Sequence, residues 1–239
     1  MSVFSRISEL LVEGVSNAVA ATIERVRTAF EGDPKTRARV AFSIAMIALS
    51  AKMAKADGVV TQDEVEAFQE IFDIPDDERP RVARLYNMAK QDTAGFQAYA
   101  RQLAELCRTN EDVGSAHGDI LDGLFHIAKA DGVLHEKELA FLQEIASIFG
   151  IGDRQFDSIK ARHIELGASD PWRILGIDPE ADHADARRQY LALVRHNHPD
   201  QMIARGVPIE FVRIADERLA AINAAWEAVE PFLNKPANV

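Results

Sequence analysis

Apolar residues recur at intervals of three and four along nearly the whole chain, and no stretch alternates convincingly between apolar and polar. The first spacing lines one face of a helix and the second one face of a strand, so the predicted fold class is all-α. Glycine, proline and aspartate gather at 31–34, 74–77, 109–118, 150–153 and 167–171, where helices should break. The last break reads as a linker. The expected organisation is an amphipathic N-terminal helix over 1–34, a helical domain over 35–166 and a smaller helical domain over 167–239.

The 239 residues are 47% apolar and 27% charged, as in a globular protein with a core of its own. A formal net charge of −11, with no run of Lys and Arg, argues against nucleic acid as a partner. One cysteine, Cys107, excludes an internal disulfide and a Cys-rich zinc site, and its place in a helical pattern predicts a buried, inert thiol.

In the first segment Phe4, Ile7, Leu11, Val15, Val19, Thr22 and Val26 share a helical face. Its longest uncharged run, Gly14 to Ile23, falls well short of the roughly 20 residues that span a bilayer, so no transmembrane segment is expected. Docking on a partner or neighbouring domain is the first reading of this helix. Peripheral membrane contact is weaker, because its few basic residues cluster at one end, and homodimer formation stays open.

The middle segment contains a repeat. Lys55-Ala-Asp-Gly-Val-Val-Thr-Gln-Asp-Glu64 matches Lys129-Ala-Asp-Gly-Val-Leu-His-Glu-Lys-Glu138, and each copy lies between two helical stretches. Asp-Gly followed six residues later by Glu resembles the second half of a calcium-binding EF-hand loop. The first half would need carboxylates where Met53, Lys55, Ile127 and Lys129 stand, so no metal is expected. Gly58 and Gly132 are instead predicted to take the left-handed conformation that ends a helix, and Thr61 with Glu64 to cap the next one. The pair of motifs resembles the TerB-like helical domain. That resemblance fixes no activity and puts forward Asp57, Glu64, Asp131 and Glu138 as an acidic surface site.

The C-terminal segment carries a different signature. Asp185 to His196 is a helical stretch in which Ala186, Tyr190, Leu193 and Asn197 share one face, leaving Arg187, Arg188 and Arg195 to point outward. His198-Pro199-Asp200 then ends the helix, because proline restricts the residue before it and has no amide hydrogen to donate. A second helix is predicted from about Pro208 to Pro231, with Leu219, Ile222, Trp226 and Val229 as its packing seam. The result is a helical hairpin with His-Pro-Asp at its tip.

Four pieces in order resemble a J domain: Asp170-Pro-Trp-Arg-Ile-Leu-Gly-Ile177, the Tyr190–Leu193 helix, His198-Pro199-Asp200, and Ile222-Asn-Ala-Ala-Trp-Glu-Ala-Val229. With the TerB-like repeat before it, the whole chain resembles the DjlA-like subgroup of DnaJ-type co-chaperones. The resemblance implies that this protein docks on a DnaK-type chaperone and stimulates its ATP hydrolysis. It implies no enzymatic activity or cofactor of its own, and an unknown client protein. It makes Asp200 the partner of a cation on the chaperone, Pro199 the keeper of the loop shape and His198 a hydrogen-bonding group. Arg187, Arg188 and Arg195 would steer the approach, and Tyr190 would edge the contact face. DjlA-like proteins carry a membrane-spanning N-terminus; with no such stretch in this sequence, a cytoplasmic location is expected.

Departures from the pattern are Leu191, Ala192 and Gln201, where J domains often carry basic residues, and Pro171 and Trp172 in place of the usual tyrosines. Two other readings remain. His196 and His198 lie near Asp200 and invite a metallohydrolase, but residues two apart on a helix do not face each other, and His126, His135 and His163 are scattered. Alternatively, the hairpin no longer engages a chaperone, and the TerB-like domain serves as an interaction or stress-response adaptor.

Overall fold

A computed structural model describes residues 24–26, 28–29, 33–57, 76, 79–91, 95–107, 116–130, 132–163 and 170–233. Besides helical residues at 24–26 and 28–29, these residues form ten α-helices and a 3₁₀ turn, with no strand among them, so the chain is all-α. The helices are α1 (Pro34–Asp57), α2 (Arg79–Gln91), α3 (Phe96–Leu106), α4 (His117–Ala128), α5 (Glu136–Ile148), α6 (Asp153–His163), α7 (Pro171–Leu175), α8 (His183–His196), α9 (Pro199–Ala204) and α10 (Val212–Leu233). The 3₁₀ turn Ile209–Phe211 leads into α10.

Helix α1 is apolar around almost its whole circumference, and a helix of that kind must be buried on all sides. From Val40 to Ala54 every residue is buried, and α2, α3, α4 and α5 pack around it. Among the polar residues inside it, the Ser43 and Ser50 hydroxyls donate to the carbonyls of Arg39 and Met46 one turn back. Lys52 lies with its ammonium 4.9 Å from the centre of the Tyr99 ring. Of the N-terminal face, Val26 is fully buried in this core. Phe4, Ile7, Leu11, Val15, Val19 and Thr22 lie outside the described residues.

The core extends into the C-terminal segment. Met202, Val207, Phe211, Ile214 and Ala215 join the same apolar cluster as α1 and α4. Phe211 meets the Phe42 ring edge-on, with centroids 4.5 Å apart, and is 1% exposed. Burying a side chain of that size contributes about 2–3 kcal/mol. Gly206 makes this contact close: its φ is +90°, and a Cβ there would overlap the Ala38 methyl group of α1. A second cluster joins Ala161 of α6 to Ile174, Leu175, Ile177, Ala186, Ile222, Ala225, Trp226 and Val229. The predicted seam of α10 therefore forms, with Leu219 only half-buried.

Two details differ from the sequence expectation. Tripeptide residue Pro199 does not lead into an open loop; it is the first residue of α9, so the segment after the tip is partly helical. Glu138, expected on an acidic surface, is 3% exposed: one of its carboxylate oxygens accepts from the His135 backbone N–H at 3.0 Å and caps α5. The left-handed turn expected at Gly132 is present, with φ +85°. Gly58, Glu64 and Asp131 lie outside the described residues, as does the side chain of Asp57.

Candidate functional site

Local chemistry explains the shape of the hairpin. Asp170 starts α7 by accepting from the Trp172 N–H at 3.0 Å, with Pro171 in the first turn where no amide hydrogen is needed. Trp172 packs partly buried against the second cluster, so the departures at 171 and 172 are accommodated. Asp182 caps α8 through the Asp185 N–H at 3.0 Å. That backbone hydrogen bond, first among several, holds its carboxyl below the usual range.

Helix α8 packs on α10 through the residues predicted to face inward. Tyr190 stacks on Trp226, with centroids 4.5 Å apart and planes 10° from parallel, and its hydroxyl donates to Asn223 Oδ1 at 3.1 Å. Asn197 closes α8 by donating from Nδ2 to the Leu193 carbonyl at 2.8 Å, satisfying one of the acceptors a helix end leaves over.

At the tip, His198 caps α9. Its Nδ1 accepts from the Asp200 N–H at 3.2 Å, which assigns the ring proton to Nε2. The side chains of His198 and Asp200 are 53% and 83% exposed. The tip thus offers one donor and one carboxylate, held in a fixed relation by the turn between them. Arg195 is exposed on the last turn of α8. Arg188 pairs with Asp185, and Arg187 lies 3.8 Å from Glu230 on α10. Leu191, between them on the outer face, is 47% exposed, and Ile203 of α9 is also exposed.

Beneath the tip lies a buried charge cluster that sequence reasoning did not find. Asp119 and Asp122 stand one turn apart on α4. Arg205, 1% exposed, donates to Asp119 from Nε at 3.1 Å and from Nη2 at 3.3 Å. Arg218 donates to Asp119 from Nη1 at 2.7 Å and to Asp122 from Nε at 3.1 Å and Nη2 at 2.9 Å. Arg162 of α6 donates to Asp122 at 3.1 Å. Burial alone would raise the Asp122 carboxyl, but Arg218, with His163 and Arg162 beside it, holds it well below the usual carboxylate range. Burial alone would likewise lower Arg218, but Asp122 and Asp119 raise it.

Next to this cluster is a cavity of about 440 Å³ between α4, α6 and α10, lined in part by His126, Lys129 and His163. The His163 Nε2 is 3.3 Å from Asp122 Oδ1 but off the hydrogen-bonding direction. Among the described residues no group of three or more His, Cys, Asp or Glu is arranged to hold a metal ion. The His196 carbonyl accepts from Arg205, while its side chain is exposed at the surface and not paired with His198 in any ligand-like arrangement. Cys107 is buried, which pushes its thiol up to about 12.

The family model for tellurite resistance protein TerB matches residues 43–161. The chain is also similar to the co-chaperone protein DjlA of Photobacterium profundum, 24% identical over 216 residues, covering 79% of this chain and 76% of the relative. DjlA of Shewanella oneidensis is 24% identical over 83% of this chain and 80% of its own length. DjlA of Escherichia coli K12 is 25% identical over 74% of each. The chain is DjlA-like. No solved structure matches it significantly. In this DjlA-like chain, no helix among the described residues is long and apolar enough to cross a membrane.

Proposed function

We propose that this chain is a co-chaperone whose J hairpin, 167–239, docks on a DnaK-type chaperone and stimulates its ATP hydrolysis. The observation that carries the reading is the tip: the side chains of His198 and Asp200 are exposed together, with His198 Nδ1 occupied by the Asp200 N–H. A rigid donor–acceptor pair loses little freedom on binding and is suited to recognition. Pro199 keeps the turn, and Arg195 on the adjacent turn supplies positive charge. Relatives described as co-chaperones support the same reading. The TerB-like region, 35–166, gives client, localisation or stress specificity. The protein would act in the cytoplasm on another protein's ATPase, with no catalysis or cofactor of its own.

One observation favours a second reading, an adaptor whose hairpin does not activate a chaperone. Arg187 and Arg188 are engaged within the hairpin, and Leu191 interrupts the basic stripe. Single-turnover ATP hydrolysis by the host chaperone, with wild type and with His198→Gln, separates the two. Stimulation that disappears in the variant is expected; none from either protein would leave the adaptor.

A further inference from the structure

The segment bearing His198, Pro199 and Asp200 is held at both ends by groups that the hairpin alone does not position. On its N-terminal side, the buried Asn197 Oδ1 accepts from Arg218 Nη1 at 3.0 Å. On its C-terminal side, Arg205 Nη1 donates to the His196 carbonyl at 2.9 Å, closing residues 196–205 into a loop. Both guanidinium groups are in turn fixed by Asp119, and Arg218 also by Asp122. Those two carboxylates belong to α4, inside the region matched by the TerB family.

We propose that Asp119 and Asp122 are positioning residues for the His198–Pro199–Asp200 tip, making the TerB-like region part of the docking unit rather than a tethered neighbour. The argument is one of satisfaction. Arg205, Arg218, Asp119 and Asp122 are all buried, where a charge left without a partner is strongly disfavoured. A guanidinium presents its donors in a rigid planar fork, so fixing one edge on a carboxylate fixes where the other donors point. Arg218 reaches Asp119, Asp122 and Asn197 together, and Arg205 reaches Asp119 and the His196 carbonyl. Moving the tip breaks hydrogen bonds made by side chains that are themselves buried.

The functional consequence rests on the co-chaperone reading; the geometric coupling does not. The test therefore reads both in the full-length chain, with Asp119→Asn, Arg205→Lys and Asn197→Ala. Amide hydrogen exchange is followed at residues 197–202, and the nitrogen resonances of the His198 ring report its tautomer. Single-turnover hydrolysis by the DnaK-type chaperone is measured at saturating co-chaperone. We expect exchange at the tip to rise about tenfold, with α7 and the Tyr190–Trp226 contact unchanged. The Nε2–H form of His198 should lose its dominance, and the stimulated rate should fall about fivefold or more at saturation. Arg205→Lys keeps the charge beside Asp119 and removes the fork, so it carries the test if Asp119→Asn does not fold. Tip exchange at the wild-type rate in the folded variants overturns the proposal, as does a loosened tip with undiminished stimulation. A wild type that stimulates nothing overturns the co-chaperone reading alone, and exchange and tautomer still decide the coupling.

Discussion

Arg218 on α10 grips Asp122 on α4 with two donors, Nε at 3.1 Å and Nη2 at 2.9 Å, and both side chains are almost completely buried. The pair spans 96 residues of sequence. Taking two charges out of water costs more than their attraction alone returns, and here the deficit is met by further donors and acceptors around them. The result is a joint that tolerates the loss of neither partner.

Asp122→Ala leaves Arg218 with Asp119 as its one carboxylate, beside the Asn197 amide oxygen, and strips Arg162 of its carboxylate. The expected loss of stability is about 3–5 kcal/mol, read from urea unfolding followed by far-ultraviolet circular dichroism. A loss below about 1 kcal/mol would mean that water reaches the joint.

Gly206→Ala sets a methyl group against Ala38 at a left-handed φ. Overlap and backbone strain together should destabilise the protein by about 2–4 kcal/mol. Thermal unfolding measures it, and an unchanged Tm would show that α1 and the segment after the tip are not in contact in solution.

Acid should weaken the fold well before the carboxylates titrate. His163 faces Asp122, Phe125, His126, Lys129 and Arg162, and burial, only partly opposed by Asp122, lowers its pKa. With a folded pKa below the unfolded one, its contribution is fully present above about 6.5 and is lost as pH falls through the folded value. Asp122, also depressed, keeps its contribution down to a far more acidic range. The Tm should therefore drop between pH 7.5 and 5.5. His163→Phe, which can keep the stacking on Phe125, should lessen the drop; an equal drop in the variant would assign it to another group.

Complex formation with the DnaK-type chaperone should depend only weakly on salt. Arg187 and Arg188 already have acidic neighbours, and Leu191 carries no charge. Raising ionic strength from 0.05 to 0.5 M, values that bracket the onset of strong screening, should weaken binding by less than about tenfold. A loss of about a hundredfold or more would restore these arginines as the main attraction.

The helices were legible because their apolar spacing is local information. So was the hairpin: Ala186 and Asn197 are buried and Tyr190 packs on Trp226, as one shared face requires. The joint beneath the tip was harder, because a carboxylate and a guanidinium 86 or 96 residues apart carry no mark of each other. Half of the signal was nevertheless present. Asp119 and Asp122 interrupt an apolar helix, and Arg218 sits four residues from both Ile214 and Ile222 in a buried seam. Charges in such places need partners. Glu138 misled for the opposite reason: exposed acids and capping acids look alike in sequence, and only the backbone amide of His135 separates them.

The shared core also sets an order of events during synthesis. Helix α1 leaves the ribosome well before Met202, Phe211 and Ile214, which complete its packing. Until then α1 and α4 have an unfinished apolar surface, and Asp119 and Asp122 await their arginines. Domains commonly fold in turn as they emerge. In this chain α1 and α4 are finished only by a segment made much later, so the nascent protein carries in the meantime an apolar surface of the kind that chaperones recognise in clients.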